Sequence, residues 1–157
     1  MIKNLKLKIT LILAIYLAIY GIGFCLADKL SFGIRINHTA SLPYKVFLSA
    51  PFNTVKRYAH VSFYHPHTSK SLAKRIIGLP GDQISCCENH VYVNDYDCGH
   101  AFNMTSSGSP LIPIETGIIP EGYVFVHAPH PDSFDSRYLQ FGLIPISLLE
   151  ETLWPIF

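Results

Sequence analysis

Acidic residues are missing from a long part of the sequence. Between Lys29 and Gly81 there are eight basic residues and no acidic one, whereas from Asp82 to the end there are ten acidic residues and one basic residue, Arg137. This separation either disappears when the chain folds or gives a basic face that lies towards anionic lipid headgroups. The basic residues are not clustered and match no known nucleic-acid-binding module, so the sequence argues against a nucleic-acid partner.

Charged residues are scarce in general and make up 15% of the 157 residues, while apolar residues make up 49%. A chain of this length and composition can bury one hydrophobic core, and one soluble domain is the simplest expectation. The eleven prolines, ten glycines, nine tyrosines and ten phenylalanines favour strands joined by many turns over a helical bundle. We therefore predict a mainly β fold.

Charge is absent altogether from Ile9–Ala27, a run of nineteen residues. This run is long enough to cross a bilayer as a helix, and the three lysines that precede it predict that the N-terminus is cytoplasmic. No second run of comparable length exists, because Leu143–Leu149 is short and contains a proline. We therefore expect a single-pass protein of the inner (cytoplasmic) membrane, with residues 1–28 as the anchor and residues 29–157 as an extracytoplasmic domain.

A cleaved signal peptide is the alternative interpretation of the N-terminal segment. Cys25-Leu26-Ala27 provides small residues with the spacing of a signal cleavage site. The apolar run is longer than a usual signal-peptide core, and this favours a retained anchor. In a Gram-negative cell, either interpretation predicts a periplasmic domain.

The domain is organised around Lys74–Asp82, which reads KRIIGLPGD. The pair Ile76 and Ile77 predicts a short buried strand, and the Gly-Leu-Pro-Gly-Asp end predicts a turn. A lysine that leads into a buried strand usually extends its amine to the surface, because burying an unpaired ammonium is costly. Lys74 is therefore either an ordinary surface residue or a buried base.

A serine stretch, Ser41-Leu42-Pro43, follows a predicted strand at Phe32–Asn37. The proline restricts the backbone, so Ser41 is expected to lie on a rigid loop. A serine hydroxyl is a weak nucleophile unless a base lies next to it. Ser-x-Pro is also common in ordinary turns, so this motif indicates chemistry only together with the others.

A third stretch, Asp132–Tyr138, reads DSFDSRY and is followed by Gly142. In this order the three stretches resemble the signal peptidase I family of Ser-Lys proteases, and most closely its branch of small conjugative-transfer signal peptidases called TraF. The resemblance covers roughly residues 30–150. It implies a mainly β, signal-peptidase-like barrel or sheet catalytic domain that follows one transmembrane helix.

The resemblance implies that Ser41 is the nucleophile and Lys74 the general base, and that the Thr39 hydroxyl joins the Ser41 amide in an oxyanion hole. To act as a base near neutral pH, a lysine needs a pKa about three pH units below its free value, which costs roughly 4 kcal/mol. Desolvation by the neighbouring isoleucines would lower the pKa, whereas a paired carboxylate would raise it. We therefore expect no carboxylate to pair with Lys74.

In the third stretch, the resemblance implies two further roles. Ser133 would hydrogen-bond the Lys74 amine and orient it. Asp135 and Arg137 would form a supporting ion pair. These residues would hold the base in place without reacting themselves.

The chain departs from the family just before this stretch. Typical signal peptidases carry Gly-Asp-Asn-Arg there, and His127–Pro131 stands in its place. The departure favours the TraF-like branch over general preprotein processing. It also raises the alternative of Ser-His-Asp chemistry with His127 or His130 as the base, although the resemblance assigns the base to Lys74.

The cysteines allow two interpretations. Cys98 lies eleven residues after Cys87, beyond a predicted β-hairpin. Outside the cytoplasm, a disulfide from Cys98 to Cys86 or Cys87 is plausible, and the sequence does not choose between the two. A metal site with His90 and His100 is the alternative, but adjacent cysteines do not match the usual zinc spacing, so we expect no metal.

We interpret the chain as a membrane-anchored serine endopeptidase that contacts membrane lipid and needs no cofactor. The resemblance implies precursor substrates with small residues, often alanine, at the first and third positions before the cut. In a TraF-like role the precursor would be a pilin or another secreted conjugation component, and either water or the substrate's own amine would resolve the acyl-enzyme. The alternative is a non-catalytic, membrane-anchored β domain of a conjugation or secretion assembly, in which Ser41 and Lys74 are structural.

Overall fold

The computed structural model describes residues 2–30, 32–66, 70–105 and 107–157, without the side chains of residues 2–7 and 25–30. The chain divides into two compact units, Met1–Gly33 and Ile34–Phe157. The first unit is mainly helical and the second mainly β.

The first unit contains the helix α1, Ile2–Leu30. The helix includes the whole uncharged run Ile9–Ala27, and its large apolar side chains are exposed from Ile9 to Phe24. Within the described part of the chain, no helix has both the length and the hydropathy that a membrane crossing requires. The anchor therefore stays a prediction, and the cleavage site at Cys25-Leu26-Ala27 lies outside the described side chains.

From Gly33 onwards, the described chain forms short strands joined by turns, as the proline and glycine content predicts. A single 3-10 helix, Ile146–Leu148, precedes the last strand of this described region. The strands are β1 (Gly33–Ile36), β2 (Val46–Pro51), β3 (His60–His65), β4 (Lys70–Gly78), β5 (Gln83–Cys87), β6 (His90–Val93), β7 (Tyr96–His100), β8 (Gly117–Ile118), β9 (Tyr123–His127), β10 (Ile144–Pro145) and β11 (Leu149–Pro155).

The strands form two sheets. The larger has seven strands in the order β1-β2-β11-β3-β4-β9-β10, and the smaller has four in the order β7-β6-β5-β8. The last strand, β11, lies between β2 and β3 and pairs antiparallel with both. This architecture confirms the predicted mainly β fold.

The main hydrophobic core contains residues of both sheets, among them Phe63 and Ile76 from the larger sheet and Val93 from the smaller one. Gly78, at the end of β4, is packed tightly against residues of both sheets. A Cβ at this position would meet the Phe125 Cβ at 2.8 Å and Val93 Cγ1 at 3.0 Å. Only glycine therefore fits at the end of β4, which explains one residue of the KRIIGLPGD motif.

The turn after β4 is held by the Asp82 carboxylate. It accepts hydrogen bonds from the Leu79 amide at 2.6 Å and from Asn94 at 2.8 Å, and it forms an ion pair with Arg57 at 2.7 Å. Burial alone would raise the pKa of Asp82, but these donors outweigh it and lower the pKa to about 2. The turn thus fixes the end of β4 and contributes no reactive group.

The predicted disulfide is contradicted, because Cys86, Cys87 and Cys98 are free thiols. Cys86 and Cys87 lie on β5 and Cys98 lies on β7, and β6 pairs with both strands between them. Two strand spacings amount to roughly 9–10 Å. A disulfide needs Cα atoms within about 7 Å, so the strand order prevents the bond.

A carboxylate on β11 links the edge of the larger sheet to its centre. Glu151 accepts hydrogen bonds from Arg35 Nε and Nη2 on β1 at 2.8 and 2.9 Å, from Ser49 on β2 at 3.2 Å and from Ser62 on β3 at 3.0 Å. The hydrogen bond from Arg35 is the main reason why the pKa of Glu151 is lowered. These contacts tie down β1, the strand that leads to Ser41.

Glu151→Gln should lower the free energy of unfolding at neutral pH by about 1 kcal/mol, since solvent screens a pair whose arginine side chain is 62% exposed. A lowered carboxylate pKa stabilises the fold above the ordinary glutamate value of about 4.3 and loses this contribution as the pH falls. The two proteins should therefore converge in acid. Urea unfolding, followed by fluorescence of the single tryptophan, Trp154, measures the difference. Glu150→Gln, at the exposed neighbouring carboxylate, is the control, and an equal loss there would contradict the prediction.

Candidate active site

A cleft of about 200 Å³ lies between the β1–β2 segment and β4. It brings Ser41, Thr39 and Lys74 to one surface, although these residues come from two separate parts of the chain. The same two segments supply the other lining residues, which are Arg35, Ile36, Asn37, His38, Ser71, Leu72 and Ala73.

Lys74 is buried, with 3% of its surface exposed. It lies opposite Val61 in the β3–β4 register, and it precedes Ile76 and Ile77, which are fully buried. Its Nζ donates a hydrogen bond of 2.6 Å to the Ser133 hydroxyl. Within the described residues, no carboxylate lies at ion-pair distance from this amine.

The environment of Lys74 favours the neutral amine. Burial lowers its pKa from 10.5 to about 8, and the positive charge of Arg137 acts in the same direction. The negative charge of Asp135 opposes this effect without overcoming it. A substantial fraction of the amine is therefore neutral at slightly alkaline pH, and a neutral amine can accept a proton.

The loop that carries Ser133 is fixed by a buried ion pair. Arg137 Nε lies 2.9 Å from Asp135 Oδ1, and both side chains are almost completely buried. Arg137 also donates to the backbone oxygens of Ser133 at 3.0 Å and of His100 at 3.2 Å. Asp135 in turn accepts from the Ala128 amide at 3.2 Å. The pair thus holds the Ser133 backbone and connects its loop to the end of β9.

The sequence analysis gave no role to two residues that position the site. Ser136 is buried, accepts from the Val126 amide at 3.1 Å and donates to the Gly142 oxygen at 2.8 Å. Asn37 accepts from the amide of Thr39 at 3.0 Å and donates to the Tyr44 oxygen at 3.0 Å. An asparagine followed two residues later by threonine at the end of a strand is typical of an Asx turn, so this role was accessible from sequence.

Ser41 is partly buried in the wall of the cleft. Among the described hydrogen bonds, none joins its hydroxyl to Lys74, and such contacts often tighten only when a substrate is bound. The Thr39 hydroxyl donates to Asn37 Oδ1 at 2.8 Å. Because a hydroxyl has a single hydrogen, Thr39 must turn away from Asn37 before it can donate to an oxyanion.

The two histidines that the sequence suggested as alternative bases lie outside the residues that line this cleft. His127 is buried at the end of β9, and burial lowers its pKa to about 4 despite the opposing charge of Asp135. His130 Nδ1 accepts a hydrogen bond from the Asp132 amide at 3.2 Å. A different histidine, His38, lines the cleft, and the sequence analysis did not assign it a role.

The alternative of a metal centre receives no support from the described part of the chain. There, no three side chains of histidine, cysteine, aspartate or glutamate come together as metal ligands would. His90 Nδ1 instead lies 3.3 Å from Asp97 Oδ1.

Comparison with known proteins gives a consistent set of relatives. Residues 5–153 match the family described as signal peptidase, peptidase S26. A conjugal transfer protein TraF of Agrobacterium fabrum strain C58 is 32% identical over 87 residues, which cover 55% of this chain and 48% of that protein. A probable conjugal transfer protein TraF of Sinorhizobium fredii strain NGR234 is 31% identical over 135 residues, which cover 76% and 68%. The chain thus spans about half the length of the first of these curated relatives.

Among solved structures, the chain is similar to a signal peptidase I from Enterococcus faecalis V583. The two are 24% identical with a TM-score of 0.45, and the match covers 66% of this chain and 99% of the other.

Proposed function

Because this chain belongs to the signal peptidase family, peptidase S26, we propose that it is a serine endopeptidase that cuts leader segments from exported precursor proteins. Membership confirms the family resemblance that the three sequence motifs predict. The matched region, residues 5–153, includes every residue to which we assign a role in the reaction, from Thr39 to Arg137.

The observation that carries the proposal is the state of Lys74. Its buried amine lies 2.6 Å from the Ser133 hydroxyl and lines one cleft with Ser41. In the proposed reaction, neutral Lys74 accepts the Ser41 proton as the serine oxygen attacks the scissile carbonyl, and it returns this proton to the leaving amine. A water molecule then releases the acyl group, or the substrate's own amine does so and gives a cyclic product.

Two donors would stabilise the negative oxygen that forms during the attack. These are the Ser41 amide and the Thr39 hydroxyl, which line the cleft together. Donors aimed at the developing charge are what acyl transfer requires. To take this role, the Thr39 hydroxyl gives up its hydrogen bond to Asn37 and donates to the substrate oxygen instead.

An open strand edge offers a docking place for an extended precursor. Along β4, residues 70–75 pair with β3, but pairing with β9 starts only at Arg75. Among the described strands, the other edge of residues 70–74 therefore has no partner, and Ser71, Leu72 and Ala73 line the cleft. A peptide that adds to this edge as a strand would bring its scissile bond beside Lys74. The small cleft fits small side chains before the cut, such as alanine.

The names of the relatives suggest the biological setting. One is named a conjugal transfer protein and the other a probable conjugal transfer protein, and we propose a pilin or another secreted conjugation component as the precursor. We also propose that Ile9–Ala27 anchors the chain in the cytoplasmic membrane, with the β domain on the extracytoplasmic side. This placement would bring the cleft to precursors as they leave the membrane.

The proposed function is tested with the full chain in detergent micelles and precursor peptides that contain Ala-x-Ala, including one from a pilin. We expect a cut after the second alanine. Mass spectrometry of the released acyl product separates hydrolysis, which adds one water, from cyclisation, which does not. If the peptides bind but stay intact, the proposal fails and the non-catalytic β domain becomes the better interpretation.

The pH profile of the same reaction identifies the base. Because Lys74 must be neutral to accept a proton, kcat/KM should rise with pH around a midpoint near 8, the pKa of Lys74. A base such as His127, with a pKa of about 4, would already give a constant rate around neutral pH. A flat profile across pH 8 would therefore contradict the assignment of Lys74.

A further inference from the structure

A second cavity is lined by the two residues that flank Ser133 in the sequence. Its volume is about 370 Å³, which is within the usual range for small ligand sites, roughly 300–1,000 Å³. The lining is mostly apolar and includes one carboxylate. The residues that matter here are Phe102, Met104, Leu111, Phe134, Tyr138 and Asp132.

The walls of this cavity are held by hydrogen bonds and ring contacts. The Phe102 amide donates to the Tyr138 hydroxyl at 3.2 Å, and the Leu111 amide donates to the Asn103 oxygen at 2.8 Å. The Phe134 ring stacks on the Tyr138 ring with centroids 5.8 Å apart. These contacts hold the walls of the cavity against each other.

Part of the apolar wall is exposed to solvent. Met104 is 64% exposed, and Phe102 is also on the surface. Covering such side chains with an apolar group removes their surface from water and favours binding. The wall thus selects for an apolar side chain.

The Asp132 carboxylate places a negative charge at the cavity. Within the described residues, the Asp132 carboxylate takes part in no ion pair. Arg137 is the single basic residue from Asp82 to the end of the sequence, and it is bound to Asp135 at 2.9 Å. A lysine or arginine next to the apolar side chain of a ligand would complement this charge.

We propose that this cavity is a second binding site for the precursor, which takes an apolar side chain while an adjacent lysine or arginine pairs with Asp132. The inference rests on the proposed function. We assign the precursor to this cavity because the cavity wall begins one residue from Ser133, whose hydroxyl binds Lys74. Consecutive Cα atoms are about 3.8 Å apart, so the backbones of Asp132 and Phe134 in the cavity wall lie within about 4 Å of the Ser133 backbone.

The experiment measures binding separately from cleavage. The full chain with Ser41→Ala, in detergent micelles, is titrated into two fluorescent peptides that share an Ala-x-Ala sequence. One peptide carries a Leu-Lys pair on each side of this sequence, and the other carries Leu-Glu pairs. Fluorescence anisotropy should show about 2- to 5-fold tighter binding of the Leu-Lys peptide.

Three further substitutions identify the groups responsible, and a fourth serves as the control. Asp132→Asn should remove most of the difference between the peptides, and Asp132→Lys should reverse it. Met104→Ser should weaken both peptides about equally, by roughly 5-fold, because it removes part of the apolar wall. Glu88→Gln removes an exposed carboxylate outside the cavity, and it should leave the preference unchanged.

Each outcome supports or overturns the inference. Equal affinities for the two peptides, or a preference that survives Asp132→Asn, would overturn it. Cleavage is measured in parallel with Ser41 intact. If binding depends on Asp132 but no peptide is cut, the protease proposal fails and the binding site stands. If the peptides are cut but Asp132 does not affect binding, the binding site fails and the protease stands.

Discussion

Lys74→Met should give a folded protein that no longer cuts its precursor, with kcat/KM reduced at least about 10³-fold. Methionine has a similar length and no amine, so Ser41 would lose its proposed base. Ser41→Ala should cause a similar loss, because it removes the attacking oxygen. The double variant should be little worse than either single one, since the two groups act in the same step.

The stability of Lys74→Met separates loss of chemistry from loss of fold. The pKa of Lys74 is lowered from 10.5 to about 8 by burial, so protonated Lys74 destabilises the fold by roughly 3 kcal/mol below pH 8. Wild-type stability should rise as the pH passes from 8 to 10.5, where the unfolded chain binds the extra proton. The methionine variant should lack this rise. At neutral pH, removing the buried charge should raise the free energy of unfolding of this variant. The Ser133 hydroxyl, left without its partner, offsets part of this gain by about 1–3 kcal/mol.

Lys56→Met is the matched control, because Lys56 is exposed and lies outside both the cleft and the free edge of β4. It should change neither the rate nor the pH dependence of stability. A Lys74→Met protein that is folded and still cuts at the wild-type rate would show that the base is another residue. His38 would then be the first candidate, because it lines the cleft.

The local elements of the fold could be predicted from the sequence with simple rules. The Ile76-Ile77 pair lies in a buried strand, and Gly78–Asp82 forms the expected turn. Both predictions rest on residues that are neighbours in the sequence. Gly78 has a tertiary reason as well, since a side chain there would collide with Phe125.

Long-range pairing could not be predicted in this way. The pair Lys74–Ser133 spans 59 positions and the pair Arg35–Glu151 spans 116. The family resemblance supplied the first contact, and nothing in the local pattern indicated the second. The insertion of β11 between β2 and β3 is also a non-local event, because it depends on which strand edges remain free when the chain closes.

The cysteines show how a correct local prediction gave a wrong contact. The hairpin between Cys87 and the following strand exists, with Cys87 opposite His90. The chain then turns once more, so Cys98 lies on the far side of β6. Sequence proximity brought the thiols into one small sheet, but the strand order keeps them apart.

Arg137→Met should destabilise the protein by about 3–5 kcal/mol, because it leaves the Asp135 carboxylate buried without its partner. The side chains of Arg137 and Asp135 are 2% and 0% exposed, so water cannot replace the lost contact. Four backbone oxygens would also lose a donor, those of His100, His130, Pro131 and Ser133. Urea unfolding of the full chain in micelles, followed by Trp154 fluorescence, measures this cost.

Arg57→Met provides the comparison that isolates burial. The Arg57–Asp82 pair has an N–O distance of 2.7 Å, against 2.9 Å for Arg137–Asp135, but its arginine is 32% exposed. Water can solvate the Asp82 carboxylate after the substitution, so we expect a cost of only about 1 kcal/mol. Equal losses in the free energy of unfolding for the two variants would show that burial of the ion pair does not cause the loss. A much larger cost for Arg137→Met, together with weaker cleavage by the folded fraction, would mean that this pair stabilises the loop on which Ser133 holds the lysine.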